Sequence, residues 1–379
     1  MEIITTCRLC GTPLPEAPAL HLENIPPRIQ YFPTAEQLAT DESATLDVFQ
    51  CTGCGLIQLN SAPVVYADEA TSTTAYYQNM MDIRQQQAHH LIHTYDLQGA
   101  TVLDVGCGDG HLLEIITAEG ALAVGVDASE RALALARAKG LNVHYGYITR
   151  THQIDGAPFD AFMSTDVIEH VPDVKDFLQG VNANLKPGAV GLIETPSFEK
   201  ALEDHRFYEF ILDHLSYFTV ETFRLALEMT GFEVLNIERN REGENLTAIV
   251  RKRPADDLNA LLAYTDRLKA AFNDFMQMMQ GQRVAIWGAS LQALTLSSML
   301  DLSTTAYVID SAPYKQGRYT PVSHLPIVSP ETLHTDPVYA VLIIAPRYRD
   351  EIIRQIEGDA QYNGAIAVLD GDKITIIRS

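Results

Sequence analysis

The segment Val102-Leu-Asp-Val-Gly-Cys-Gly-Asp-Gly110 constrains this chain more than any other. Val102, Leu103 and Val105 read as a buried strand, and Gly106, Gly108 and Gly110 follow before an apolar helix over 112–118. Glycines at this spacing let the backbone turn sharply and approach a ligand closely. Asp127, followed by Ala128, ends the next apolar strand about 20 residues on, where a carboxylate can accept both hydroxyls of a ribose. A dinucleotide site would use the same devices. Asp104 distinguishes the two. Within the turn it would repel a pyrophosphate, and it suits a ligand with a cationic amino-acid end and a sulfonium.

Residues 98–252 alternate strand and helix. Strands are expected at 101–105, 121–126, 142–147, 159–165 and 190–194. Helices are expected at 112–118, 130–139 and 174–185, the last stopped by Pro187-Gly188. Such alternation predicts an α/β, doubly wound, mostly parallel sheet covered on both faces. Residues 282–379 start a second, smaller, Rossmann-like α/β domain, similar to the first only in its alternation. A linker helix over 253–281 places Leu258, Leu261, Leu262, Leu268, Phe272, Phe275 and Met279 on one face. Residues 61–97 read as a helical lid or connector, with Ile83, Ala88, Leu91 and Ile92 inside and a polar stretch carrying Tyr76 and Tyr77 before them.

The first 60 residues hold four paired cysteines, Cys7/Cys10 and Cys51/Cys54, with Gly11 and Gly55 directly after each pair. In a reducing compartment such pairs are metal ligands, and four thiolates close a tetrahedral zinc site with no open position, hence a structural one. Such a small loop-rich stretch gains its missing stability from the metal. Cys107, alone between two glycines, reads as a small apolar filler. The 379 residues carry a net charge of -22, which argues against a nucleic-acid partner. No apolar run reaches the roughly 18–20 residues of a membrane span. The first ten residues lack a secretory pattern, so a cytoplasmic enzyme is expected.

The run from Asp104 to Gly110 resembles the D-x-G-x-G-x-G segment of class I methyltransferases, whose ligand is S-adenosylmethionine. The whole chain resembles the sugar C-methyltransferases of deoxysugar biosynthesis, which join a zinc-binding module, a class I core and a C-terminal α/β domain in this order. The resemblance rests on Val284-Ala-Ile-Trp-Gly-Ala-Ser290, Val308-Ile-Asp310, Pro313-Tyr-Lys-Gln-Gly-Arg-Tyr-Thr-Pro321 and Asp213-His-Leu-Ser-Tyr-Phe218. It implies a nucleotide-linked 4-keto sugar as substrate, methylated on the carbon next to the ketone. His214 matches the family's base, with Asp213 beside it, and His170 its second histidine. Tyr76 or Tyr77 stands where the family has a tyrosine over the site.

The chain departs from that family at several places. Ile211 replaces a tyrosine, Asp213 a glutamate, Glu242-Gly-Glu-Asn245 an H-G-G-S segment, and Gly288-Ala-Ser-Leu-Gln292 lacks a lysine. These departures leave two other functions open: O- or N-methylation of another small metabolite, and non-catalytic binding of the cofactor. Lys315 and Arg318 are candidate phosphate contacts. The sequence leaves the oligomeric state open.

Overall fold

The computed structural model describes residues 3–27, 32–63, 78–254, 258–358 and 362–379. The chain divides into two compact units, Met1–Ala255 and Asp256–Ser379. Tyr76, Tyr77 and the polar stretch expected to cover a site lie outside the described residues.

The first unit opens with strands β1 (Leu20–Ile25), β2 (Ala44–Gln50) and β3 (Ile57–Leu59). Helix α1 (Gln78–Thr94) follows. The alternating series is β4 (Thr101–Val105), α2 (His111–Ala118), β5 (Leu122–Asp127), α3 (Glu130–Ala138), β6 (Val143–Tyr145), β7 (Phe159–Thr165), α4 (Val174–Ala183) and β8 (Leu185–Pro196). Then come α5 (Phe198–Glu203), β9 (Ser216–Tyr217), α6 (Val220–Met229), β10 (Phe232–Asn240) and β11 (Asn245–Lys252).

Seven strands form one sheet in the order β10-β11-β8-β7-β4-β5-β6, parallel except where β11 runs against its two neighbours. This is the doubly wound sheet that the alternation predicted. Its strand order reverses between β4 and β7, so the carboxyl ends of these two strands open a crevice. Ala88, Leu91 and Ile92 of α1 are fully buried against Val102 and Ile116. The helix expected as a lid or connector therefore packs in the core of the sheet.

The N-terminal segment makes its own antiparallel sheet, in the order β1-β2-β3-β9. The last strand comes from far along the chain, with Ile57 opposite Tyr217 and Gln58 opposite Ser216. One local expectation fails. α4 ends at Ala183, and Pro187-Gly188 lies inside β8. Asn184 stops the helix instead, its side-chain amide donating to the Gly180 carbonyl at 2.9 Å.

The second unit starts with α7 (Leu258–Met278) and continues with β12 (Val284–Trp287), α8 (Leu291–Ser297), β13 (Thr305–Ile309) and β14 (Ile327–Val328). It ends with α9 (Thr332–Thr335), β15 (Ala340–Ile343), α10 (Arg349–Glu357), β16 (Ala365–Asp370) and β17 (Lys373–Arg378). Its sheet order is β14-β13-β12-β15-β16-β17. Phe272, Phe275 and Met279 of α7 are buried in this unit's core with Val284 and Leu342. The continuous apolar face expected on this helix is interrupted: Leu258, Leu261 and Leu262 are 61–67% exposed. Phe272→Ala should therefore cost about 3–5 kcal/mol in the unfolding of the second unit. Leu261→Ala should stay within about 0.5 kcal/mol. Urea denaturation of the two variants checks the contrast.

Candidate active site

The glycine turn leaves β4 at the carboxyl edge of the sheet. Gly106, Gly108 and Gly110 all have positive φ, at 83°, 53° and 86°. A Cβ at Gly106 would collide with the Val167 side chain, whereas one at Gly108 would meet no atom within 4 Å. Only glycine satisfies the first position, and the turn is open at the second. Asp127 holds the turn from the neighbouring strand. Its Oδ2 accepts from the Gly108 amide at 2.9 Å and its Oδ1 from the Ser129 amide at 2.7 Å. Ala128, half-buried, lies between those contacts.

Asp104 is buried, and its Oδ2 has no hydrogen-bond partner among the described residues. Burial, reinforced by the charge of Asp127, pushes its pKa up to about 8. An orphaned buried acceptor beside a second carboxylate fits a cationic ligand that also brings hydroxyls. The residues present therefore fit S-adenosylmethionine. Cys107 is buried with Leu113 and Leu133, and burial raises its thiol far from the reactive range, as a filler requires.

Sequence reading missed the charge network behind this turn. Arg84 of α1 donates to Asp166 at 2.7 Å and to Glu194 at 2.6 Å. Glu194 lies fully buried on β8 and also accepts from Gln87, Asn245 and Thr247. Burial alone would raise its pKa, but Arg84 and these donors hold it below the usual carboxylate value. Asp166, by contrast, is raised by burial. The one signal in the sequence was a glutamate inside an apolar strand. Its partner is 110 residues away.

The loop after β7 joins this turn to a second site. Val167 abuts Gly106, while Glu169 and His170 face the other way, toward the segment before β9. The main-chain amides of Leu215 and Ser216 both donate to the Glu169 carbonyl, at 2.7 and 3.1 Å. This brings His170 and His214 together, their rings edge to face with centroids 4.8 Å apart. His170 Nδ1 donates to the Asp213 carbonyl at 2.9 Å and lies 3.3 Å from its carboxylate.

The two histidines are polarised in opposite directions. Burial works against the charged form of His170, but Asp213 and Glu169 outweigh it and raise the pKa to about 9. Burial dominates at His214, and the charge of His170 adds to it, so its pKa falls to about 4. The surroundings thus favour the charged form of the His170 ring and the neutral form of the His214 ring. Glu169, fully buried, is raised by burial to about 7. A cavity of about 40 Å³ opens here, lined by Glu169, Ser197, Arg206, Glu209, His214 and Tyr217 among others. Ile211 presents only its backbone to the Tyr217 hydroxyl, at 2.9 and 3.0 Å.

The four paired cysteines converge. Cys7 Sγ lies 3.6 Å from Cys54 Sγ, and Cys10 Sγ 3.5 Å from Cys51 Sγ. A tetrahedral ion with bonds of about 2.3 Å to sulfur sets its ligands roughly 3.8 Å apart. Gly11 and Gly55, both at positive φ, close the two knuckles on the carbonyls of Cys7 and Cys51. The intervening Arg8 is buried and donates to the carbonyls of Leu59, Ser61 and Pro172. Pro172 belongs to the His170 loop, so this knuckle is fastened to the active site.

Residues 77–237 match the family described as a methyltransferase domain, and residues 238–369 match the C-methyltransferase C-terminal domain. The core is a methyltransferase domain. Its sheet is the class I S-adenosylmethionine-dependent methyltransferase fold. The C-methyltransferase NovU of Streptomyces niveus is 23% identical over 354 residues, covering 81% of this chain and 82% of that one. A ubiquinone biosynthesis O-methyltransferase of Paramagnetospirillum magneticum is 40% identical over 97 residues, 24% of this chain and 39% of that protein. One from Pseudomonas paraeruginosa is 33% identical over 125 residues, 31% and 54% of the two chains. This chain thus spans about two fifths to one half of the O-methyltransferases it matches. A solved S-adenosylmethionine-dependent methyltransferase from Mesorhizobium loti is similar at 19% identity and a TM-score of 0.35, over 44% of this chain and 99% of that one.

Arg84 separates structure from chemistry at this site. Arg84→Met strands Glu194 as a buried charge, leaves the half-buried Asp166 without this partner, and should cost about 3–5 kcal/mol of stability. Denaturant unfolding of the variant measures it.

Proposed function

We propose that this enzyme methylates the carbon next to the ketone of a nucleotide-linked 4-keto deoxysugar, with S-adenosylmethionine as donor. One observation carries the reading: a neutral and a protonated histidine, His214 and His170, stand edge to face, and His214 lines a cavity. C-methylation next to a carbonyl needs such a pair. His214 takes the proton from the carbon. His170, its proton secured by Asp213, donates to the ketone oxygen as negative charge develops there. The low pKa keeps His214 ready but makes it a weak base, so stabilisation of the enolate by His170 is essential. When bound, S-adenosylmethionine supplies a methyl group activated on a sulfonium. Asp104 and Asp127 would hold its cationic and ribose ends against Gly106, Gly108, Gly110 and Ala128.

A relative matched over most of both chains points the same way, since NovU is a C-methyltransferase. The four cysteines would hold a structural zinc ion. In the second unit, the turn of Gly288–Ser290 and Asp310 is a candidate seat for the nucleotide. Lys315 is committed to Asp310 at 2.8 Å, while Arg318 is exposed and is the better phosphate contact. The partner is then a small anionic metabolite.

Methylation of a hydroxyl or amine is a second reading, favoured by the loss of a tyrosine hydroxyl at Ile211. The similar O-methyltransferases do not decide it, because they match only a quarter to a third of this chain.

His214→Ala should lower turnover roughly 10²–10⁴-fold while S-adenosylmethionine binding by calorimetry is unchanged. Wild-type enzyme with S-adenosylhomocysteine and a 4-keto sugar in D₂O should wash out the adjacent proton, followed by mass spectrometry. A methyl group found on oxygen or nitrogen would favour the second reading.

The pH dependence has a defined sign. Activity needs His170 protonated and His214 neutral. In the free enzyme kcat/KM should fall as pH rises through about 9, where His170 loses its proton, and as pH falls toward about 4, where His214 gains one. His170→Gln should remove the upper limb of the profile.

A further inference from the structure

Helices α1 and α2 bring together a second set of metal-type ligands, remote in sequence from the cysteines. His89 and His93 are one helical turn apart on α1, so their rings share a face. Glu119 caps the C-terminus of α2. Its Oε2 lies 2.8 Å from His89 Nδ1 and 3.0 Å from His93 Nε2. The two rings are 4.2 Å apart, and the three ligand atoms all lie within 4.8 Å of one another.

We propose that His89, His93 and Glu119 form a divalent transition-metal site, with zinc the fitting ion. A tetrahedral zinc with bonds of about 2.0–2.1 Å holds nitrogen and oxygen ligands roughly 3.3 Å apart, close to the separations here. Two ring nitrogens converge on one carboxylate oxygen. The same convergence is what an ion requires.

The scaffold is rigid. Ala88, Leu91 and Ile92, interleaved with the two histidines, are fully buried against α2 and β4. Gln98 Nε2 lies 2.8 Å from His93 Nδ1 and orients that ring. With Nε2 on the ion, Nδ1 carries the proton, and the Gln98 amide turns its oxygen to accept it. Both histidines are exposed, which leaves the fourth position to water. An ion here fastens α1, which carries Arg84, to α2, which follows the glycine turn. The site lies at the C-terminal end of α2, whereas the glycine turn leads into its N-terminal end.

The test uses the full chain with its four cysteines metal-loaded. A weak chelator strips the exposed ion, and zinc chloride is titrated by calorimetry. One further equivalent should bind. His89→Ala and His93→Ala should each weaken it by at least roughly tenfold, as should Glu119→Gln. His90→Ala, on the same helix but outside the set, should bind as wild type. Zinc should raise the thermal midpoint of the wild type and not that of His93→Ala. Absence of the extra equivalent, unchanged affinity in His89→Ala and His93→Ala, or equal weakening in His90→Ala would overturn the proposal.

Discussion

The candidate active site depends on a tie between distant parts of the chain: the pairing of β3 with β9. Leu59 donates its amide to the Leu215 carbonyl, and the Leu215 amide in turn donates to Glu169. These are buried main-chain groups, and each must find a partner or lose stability. The register of a three-residue strand in the N-terminal sheet thereby fixes where His214 stands relative to His170. Arg8 completes the tie from the other side. Its buried guanidinium spends its donors on carbonyls of residues 59, 61 and 172. The metal-type module is, in the folded protein, tied both to the segment that carries His214 and to the loop that carries His170.

Burial then does the electrostatic work. Desolvation lifts Asp104 toward neutrality and strips the proton from His214, two groups that sit on either side of the 166–170 loop. It fails to discharge His170 because Asp213 and Glu169 stand close enough to win. The same competition explains why Glu194 stays ionised in a fully buried position while Asp166 is pushed up: Glu194 collects four donors, including Arg84. A chain with net charge -22 thus carries its acidity into the crevice itself. Arg84 answers Asp166 and Glu194, while Asp104 lies buried near Asp127.

The parts of this site that were legible in the sequence are those encoded within a few residues. The glycines at 106, 108 and 110, the C-x-x-C pairs and the aspartate ending a strand are local devices, because a turn or a knuckle needs its residues adjacent. The parts that were not legible are long-range pairings. Arg84 meets Glu194 across 110 positions, and Arg8 meets Pro172 across 164. Neither arginine differs in its neighbours from an ordinary surface arginine. His170 and His214 were found through a motif, and their opposite protonation was not visible there, since it arises from packing. Periodicity misled at α7: the spacing of Leu258, Leu261 and Leu262 fits one face, but the buried part of that face begins only at Leu268. It misled again at Pro187-Gly188, where Asn184 had already closed the helix with its own amide.

The two α/β units, alike in sequence only in their alternation, share one hydrogen-bond device. In the first, Gly106 donates to the Val126 carbonyl, and Asp127 accepts from Gly108 and Ser129. In the second, Gly288 donates to the Ile309 carbonyl, and Asp310 accepts from Ala289 and Ala312. Glycine turn and aspartate are therefore common to both. The charges around them differ. In the second unit Lys315 bridges Asp310 and the Ala289 carbonyl at 2.8 and 3.0 Å, so the aspartate is held below its usual pKa and answered within the chain. In the first unit, Asp127 is joined by Asp104, whose Oδ2 has no hydrogen-bond partner among the described residues. A carboxylate already paired with lysine has little to offer a cation, whereas two carboxylates with one orphaned oxygen do. The two turns therefore differ in that pair of residues, Asp104 and Lys315, and not in the glycines that drew attention to them.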